Sequence, residues 1–458
     1  MAKRTSTRFV CSNCGAVWSA WTGRCTTCGE WNTLQEEISI KPLSGLSRST
    51  GKLQPQSVGD LAITDYPRIK STISDVDLVL GGGFVPGSVS LLTGQPGIGK
   101  STILLQIANE IAKTNPVLYV SGEESAHQIA LRSLRLKCDE DNMLIVTSNV
   151  ADEVADSIAS GKYKFVIIDS IQTLRCDALS SAAGTISQIT GSTQLLTSVA
   201  KQTNTAIILV GHVTKDGVIA GPKILEHMVD VVLQLDGDVS SGFKILRASK
   251  NRFGSTTEAG IFEMVESGLQ PVANPSQVLL EERQPSDGSI VLATLEGTRP
   301  LLVEVQALVN PTSYGYPKRA ASGIELNRLN LLIAMLERRT KLKLSTQDIY
   351  INIVGGIRIQ DPAADLAICM AIGSASKGLQ LKTNSVVFGE VGLSGEIRHV
   401  SFLEKRLNEA KKMGFTSAIG PVQRGSNKFP MLKGIPDVRT GLNTYLGEGR
   451  DKDAKAKG

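Results

Sequence analysis

The residues best suited to chemistry lie between Gly94 and Thr102. They read Gly94, Gln95, Pro96, Gly97, Ile98, Gly99, Lys100, Ser101 and Thr102, a full G-x-x-x-x-G-K-S turn. Glycines at those spacings let backbone N–H groups face a phosphate, and a helix starting at Lys100 would add its positive end. Lys100 is expected to reach the β- and γ-phosphates of ATP, and the Ser101 hydroxyl to take one position on Mg²⁺. Asp169 ends the apolar run KFVIID and is expected to hold the same Mg²⁺. Glu123, in VLYVSGEES, is the expected water-orienting carboxylate, in preference to Glu124 beside it.

A second constellation opens the chain. Cys11 and Cys14, then Cys25 and Cys28, form two C-x-x-C turns, each followed by glycine. Two such turns complete a closed S4 site for Zn²⁺, structural because no ligand position stays open. About 30 residues cannot bury a core, so the metal must supply the folding energy. Trp18, Trp21 and Trp31 either close over that small core or form a stacking surface. Cys138, Cys176 and Cys369 are isolated and expected to pack as small hydrophobes.

The elements that must position these groups follow from the pattern. SVSLLTG, PVLYVSG, KFVIIDS and TAIILVG are short apolar β-rich runs, separated by helical stretches such as STILLQIANEIAKT and SAHQIALRSLRL. Strand–helix alternation predicts an α/β fold with a parallel sheet covered on both faces. HMVDVVLQLD and FKILRASKNRFG read as its late strands. The expected domains are a zinc finger over 1–33, a linker over 34–60, an ATPase domain over 61–275 and a second compact domain over 285–450. The tail RDKDAKAKG is too poor in apolar residues to order alone.

Composition is permissive. Forty-nine basic against 44 acidic residues leave +5, which allows nucleic-acid binding without arguing for it. No run approaches the ~18 to 20 apolar residues of a membrane helix, and the polar start lacks a signal-peptide core. The expected location is cytoplasmic, with no membrane partner.

GGGFVPGSVSLLTGQPGIGKST, YVSGEES, VIIDSIQT, GHVTKDG and KNRFG, behind a four-cysteine zinc module, closely resemble the RadA (Sms) family of bacterial DNA repair proteins. The likeness extends over essentially the whole chain. It implies a RecA-like P-loop ATPase core, preceded by a zinc ribbon and followed by an α+β Lon-protease-like domain. It also implies a DNA-dependent ATPase, a translocase or helicase acting in homologous recombination and repair. Such proteins resemble the replicative DnaB helicases, form rings expected to be homo-hexamers, process single-stranded and branched DNA, and act with the RecA recombinase. Lys250 and Arg252 of KNRFG would be the mobile basic elements, one reaching a neighbouring subunit's γ-phosphate or DNA. His212 would be either a γ-phosphate sensor or a structural histidine. Lys215 and Lys223 would be either pore-facing or simply solvated. A KaiC-like switch acting on proteins is the alternative, disfavoured by the lack of a second P-loop.

The C-terminal region resembles the proteolytic domain of Lon, whose Ser–Lys dyad uses a G-P-S-A-G loop. Here Asp361-Pro-Ala-Ala-Asp365 puts Ala363 at the nucleophile position, and Glu404 stands where the lysine should, beside Lys405. Ser394 lacks the second glycine of a nucleophile elbow. A proteolytically inactive scaffold is therefore expected. Its densest basic stretch, from Tyr314 through Arg319, Arg328, Arg338, Arg339, Lys341 and Lys343, is either a DNA groove or a solvated face.

Overall fold

The structure, a computed structural model, describes residues 8–11, 16–18, 20–31, 33–37, 67–212, 220–237, 243–313, 315–423 and 429–447. Cys14, Lys215, Tyr314, most of the expected linker and the charged tail lie outside them, as does the His212 side chain.

The first element is a three-stranded antiparallel ribbon with β1 (Arg8–Cys11) between β2 (Val17–Trp18) and β3 (Leu34–Glu37). Strand β3 falls inside the span read as linker. Four residues are too few to show a period, and the strand is specified by its ladder to β1 and by Leu34, which packs beside Cys11 and Cys25.

The chain divides into two compact units, one built mainly from the residues up to 236 and the other mainly from 272 onward. The first holds the parallel strands of a nine-stranded sheet whose order is β12-β11-β10-β9-β4-β8-β7-β5-β6. Its parallel members are β4 (Val89–Gly94), β5 (Val117–Ser121), β6 (Met143–Thr147), β7 (Phe165–Asp169), β8 (Ala206–His212) and β9 (Val231–Asp236). Strand β10 (Phe243–Asn251) is antiparallel to β9, and β11 (Ala259–Val265) and β12 (Gly268–Pro271) extend that edge. Strands β4, β5 and β7 are buried along their whole length, which explains their unbroken aliphatic runs. Helices α1 (Ser74–Leu80), α2 (Lys100–Ala112), α3 (Ala126–Leu136), α4 (Ala151–Ala159), α5 (Ile186–Thr203) and α6 (Ala220–Met228) fill the connections.

His227 and Met228, read as the start of a strand, instead finish α6. The apolar run straddles a helix end and a strand start, and short apolar runs do not mark such a boundary. Strand β8 lies between β4 and β7, so the glycine turn and Asp169 end up one strand apart at the same sheet edge. This is the RecA-like arrangement, and ligands of such sheets bind outside the carboxyl ends of the strands.

The second unit carries a seven-stranded sheet in the order β15-β16-β14-β13-β18-β21-β22. Its strands are β13 (Ser289–Glu296), β14 (Arg299–Pro311), β15 (Arg319–Ser322), β16 (Gln347–Ile353), β18 (Ser385–Val387), β21 (Ser417–Pro421) and β22 (Leu432–Ile435). Two short pairs accompany it: β17 (Gln380–Leu381) with β23 (Leu446–Gly447), and β19 (Glu390–Val391) with β20 (Ile397–Arg398). Helices α7 (Pro275–Leu280), α8 (Leu326–Thr340), α9 (Ala364–Lys377), α10 (Leu403–Lys412) and α11 (Val438–Tyr445) complete an α+β domain. Helix α8 is the amphipathic helix expected from LNRLNLLIAMLERR.

Candidate nucleotide site and metal ribbon

Helix α2 begins on Gly99, which has φ +113° and provides no side-chain cap. Its first N–H groups therefore depend on an outside acceptor, which suits an anion. Gly97 has φ +78°, and a Cβ there would meet nothing within 4 Å, so the turn opens outward. Gly99 is closed on its other side, since a Cβ would come within 2.8 Å of Met264. Lys100 is buried, and its Nζ donates to the carbonyls of Gly94 at 2.9 Å and Gln95 at 3.0 Å. An ammonium has three donors, so one is left for a phosphate oxygen. Burial lowers the Lys100 pKa, while the charges of Asp169 and Glu123 pull it back up.

Asp169, at the end of β7, is buried. One of its oxygens, Oδ2, accepts from Ser101 Oγ at 2.7 Å and from Tyr119 Oη at 2.7 Å. Glu123 lies exposed just beyond β5 and accepts from Ser170 Oγ. Gly122 permits that approach, because a Cβ there would overlap Thr173 Oγ1 at 2.0 Å. Glu124 pairs with Arg132 on α3. Lys100, Ser101, Glu123 and Asp169 thus share one sheet edge. The donor set, a hydroxyl and a carboxylate beside an uncapped helix start, fits a hard cation with a phosphate.

Lys250 and Arg252 diverge. Lys250 Nζ donates to the Glu226 and Val229 carbonyls at the end of α6, at 2.6 and 2.8 Å. Burial, then the charge of Arg252, lowers its pKa. Arg252 pairs with Asp230 at 3.0 Å while its side chain stays 54% exposed. Arg68, unmarked in the sequence reading, staples the KNRFG turn by donating to Phe253 O at 2.7 Å and Leu80 O at 3.0 Å. The turn also lies against the glycine lead-in, with a Gly254 Cβ position 3.4 Å from Gly81 Cα. Lys223 lies exposed on α6, and the His212 backbone pairs opposite Gly94.

Tyr119 and Ser170 were also missed. A lone phenol in the otherwise aliphatic strand VLYVS was the available signal, because a buried hydroxyl needs a partner.

In the ribbon, the sulfurs of Cys11, Cys25 and Cys28 all lie within 4.8 Å of one another, with Cys11 and Cys28 3.6 Å apart. Thiolates around one tetrahedral ion stand roughly 3.8 Å apart, so this donor set fits Zn²⁺. The backbone N–H of Cys28 holds the Cys25 thiol below its ordinary pKa, against the opposing effect of burial. Trp18 packs beside this cluster, whereas Trp21 and Trp31 are exposed.

In the second unit, Ala363 is buried at the head of α9. Asp361 accepts from Arg406, Thr294 Oγ1 and the N–H groups of Leu295 and Ala363. Asp365 accepts from Arg328 and from the Val391 N–H. Glu404 is exposed, and Lys405 Nζ donates to Thr298 O at 3.2 Å. Arg319 and Arg339 donate to backbone carbonyls, while Arg338, Lys341 and Lys343 are exposed.

Comparison with known proteins shows which families the parts of the chain are similar to. A family model for an AAA domain matches residues 55–218, a rubredoxin metal-binding domain matches 9–36, and subunit ChlI of Mg-chelatase matches 328–424. DNA repair protein RadA of Halalkalibacterium halodurans is 46% identical over 457 residues, covering 98% of this chain and 100% of that protein. The Bacillus subtilis RadA is 44% identical over 458 residues, covering 98% and 100%.

The chain belongs to the RadA family. The RadA of Brucella abortus, 48% identical over 92% of both chains, is a further relative. This RadA-family chain therefore joins a metal-binding ribbon, a RecA-like ATPase core and a Lon-like domain. Among the described residues, no helix is long and apolar enough to cross a membrane.

Proposed function

We propose that this chain is a cytoplasmic DNA-dependent ATPase that translocates on single-stranded DNA and unwinds or branch-migrates recombination intermediates. It does so as a homo-hexameric ring working with the RecA recombinase. The observation that carries the reading is the convergence of Ser101 and Tyr119 on one oxygen of Asp169, beside an uncapped glycine turn.

In this reading residues 94–102 cradle the ATP phosphates through backbone N–H groups, and Lys100 gives its remaining donor to a phosphate oxygen. Ser101 and Asp169 hold Mg²⁺, which when bound neutralises charge on the β- and γ-phosphates. Glu123, steadied by Ser170, orients the attacking water and takes its proton. Lys250 anchors the KNRFG turn on α6, and the more exposed Arg252 serves the neighbouring subunit's phosphates or DNA. Cys11, Cys14, Cys25 and Cys28 bind Zn²⁺. Residues 61–275 form the motor, and 285–450 form a scaffold without proteolytic chemistry, since Ala363 has no hydroxyl to attack with.

Steady-state ATP hydrolysis, measured with and without single-stranded DNA, tests the reading together with unwinding of a forked duplex. Single strands should stimulate turnover many-fold, and Arg252→Ala should still bind ATP while losing that stimulation and the unwinding. No response to DNA overturns the motor reading. Normal unwinding by Arg252→Ala overturns the role of that residue alone.

A further inference from the structure

All three tryptophans of the chain, Trp18, Trp21 and Trp31, lie in the metal ribbon. Trp18 packs on its core, but Trp21 and Trp31 are 57% and 67% exposed. An exposed indole wastes a large apolar face unless it meets a partner. These two converge on one spot: a Cβ at Gly23 would stand 3.7 Å from Trp31 Cζ3 and 3.8 Å from Trp21 Cη2. The glycine thus leaves a bare floor beside both ring systems. Arg24 lies over the Trp31 ring at 5.8 Å, and its Nε is tied to Gly29 O at 2.7 Å, so the cation is held against the indole. The other exposed residues among those described nearby carry hydroxyls, namely Thr22, Thr26 and Thr27, or a carboxylate, Glu30, beside the small Ala20.

We propose that Trp21, Gly23, Arg24 and Trp31 form a stacking slot for unpaired bases of single-stranded nucleic acid. The inference rests on the DNA-motor reading and gives the ribbon a share in it. The aromatics of a protein hot spot are ringed by contacts that exclude water. Here threonine hydroxyls and a guanidinium accompany them, the mixture that accepts a base face and a backbone phosphate together. Glu30, exposed beside Trp31, offsets Arg24 in charge. The slot therefore works by stacking, and it should add no more than about 0.7 to the log–log salt dependence of single-strand binding, the share of one phosphate contact.

Because no tryptophan lies outside the ribbon, the intrinsic emission of the full chain reports on the ribbon alone, and two of its three indoles line the slot. Titration with a deoxythymidine oligomer, with zinc supplied, should quench that emission, and the abasic oligomer of equal length should not. Trp21→Ala/Trp31→Ala should weaken oligomer binding about tenfold or more, as loss of two stacking faces does. The remaining Trp18 emission and the zinc content then report that the ribbon is folded. Gly23→Val keeps both indoles but fills the floor, and should weaken binding several-fold. Equal quenching by the abasic oligomer, or unchanged affinity in the double variant, overturns the slot. So does loss of recombinase co-precipitation with DNA affinity intact, which would assign the face to a protein. If the full chain shows DNA-stimulated hydrolysis but no quenching, the slot fails while the motor stands; if it neither binds nor responds to DNA, the motor reading itself fails.

Discussion

Two carboxylate clusters in this molecule are built in contrasting ways. At the carboxyl edge of the first sheet, Asp169 is held by neutral hydroxyls, Ser101 and Tyr119. In the Lon-like domain, Asp361 and Asp365 are held by guanidinium groups, Arg406 and Arg328, and by backbone N–H groups. A hydroxyl can turn away and offer a lone pair, so the first arrangement can exchange a hydrogen bond for a cation. A buried arginine cannot deprotonate or turn aside without leaving an uncompensated charge. In the proposed function the first carboxylate exchanges partners, whereas Asp361, bonded to the buried Arg406, holds a shape.

Removing the central cation on one side and the central buried cation on the other tests the contrast. Lys100→Ala should lower ATP turnover on the order of a thousand-fold, the upper end of what one lost charge-stabilising donor costs. The folding of the first unit should change little. Phosphate release and a thermal melt measure the two effects, and retained turnover would remove Lys100 from the chemistry. Arg406→Met should do the reverse. Arg406 is 1% exposed and bonds Ser401 O, Ala293 O and Asp361, so its loss strands a carboxylate. We expect about 3 to 5 kcal/mol of destabilisation of the second unit by urea unfolding, with basal hydrolysis preserved. Adding Asp361→Asn should restore much of it. If the single variant were as stable as the parent, the claim that this pair holds the domain would fall.

The contrast was only half legible in the sequence. Gly94–Ser101 is a continuous motif whose spacing states its chemistry, and Asp169 closes an unbroken apolar strand. Ala363 could be read the same way, since a missing hydroxyl is visible without coordinates. Arg406 could not, because its partner lies 45 residues away and nothing local separates it from the exposed bases around it. Lys250 and Arg252 show a subtler limit. They sit two apart in one short motif, yet one caps a helix and the other stays half exposed. Strand β10 is bulged between Ala248 and Lys250, and a bulge re-aims the side chains that follow it. Leu34–Glu37 was hidden for another reason: four residues carry no period, and only pairing with β1 makes them a strand.

The finest distinction concerns Tyr119, which bonds Asp169 at the carboxyl edge of the first sheet yet is itself fully buried. Burial, and then the negative charge of Asp169, pushes its phenol well above the ordinary pKa. The proton therefore stays on Tyr119 throughout the physiological range, making it a permanent donor to Asp169 Oδ2. Tyr119→Phe removes that donor and nothing else of the side chain's bulk. Asp169 keeps Ser101 as a partner, so the effect should be near that of one hydrogen bond, about 1 kcal/mol or roughly five-fold. If the phenol orients the carboxylate for Mg²⁺, the loss appears as a lower kcat and a higher Mg²⁺ requirement, with the KM for ATP little changed. If Tyr119 only fills the strand core, urea unfolding shifts while the Mg²⁺ titration of hydrolysis stays superimposable on the parent, and the phenol then has no share in what separates the two carboxylate sites.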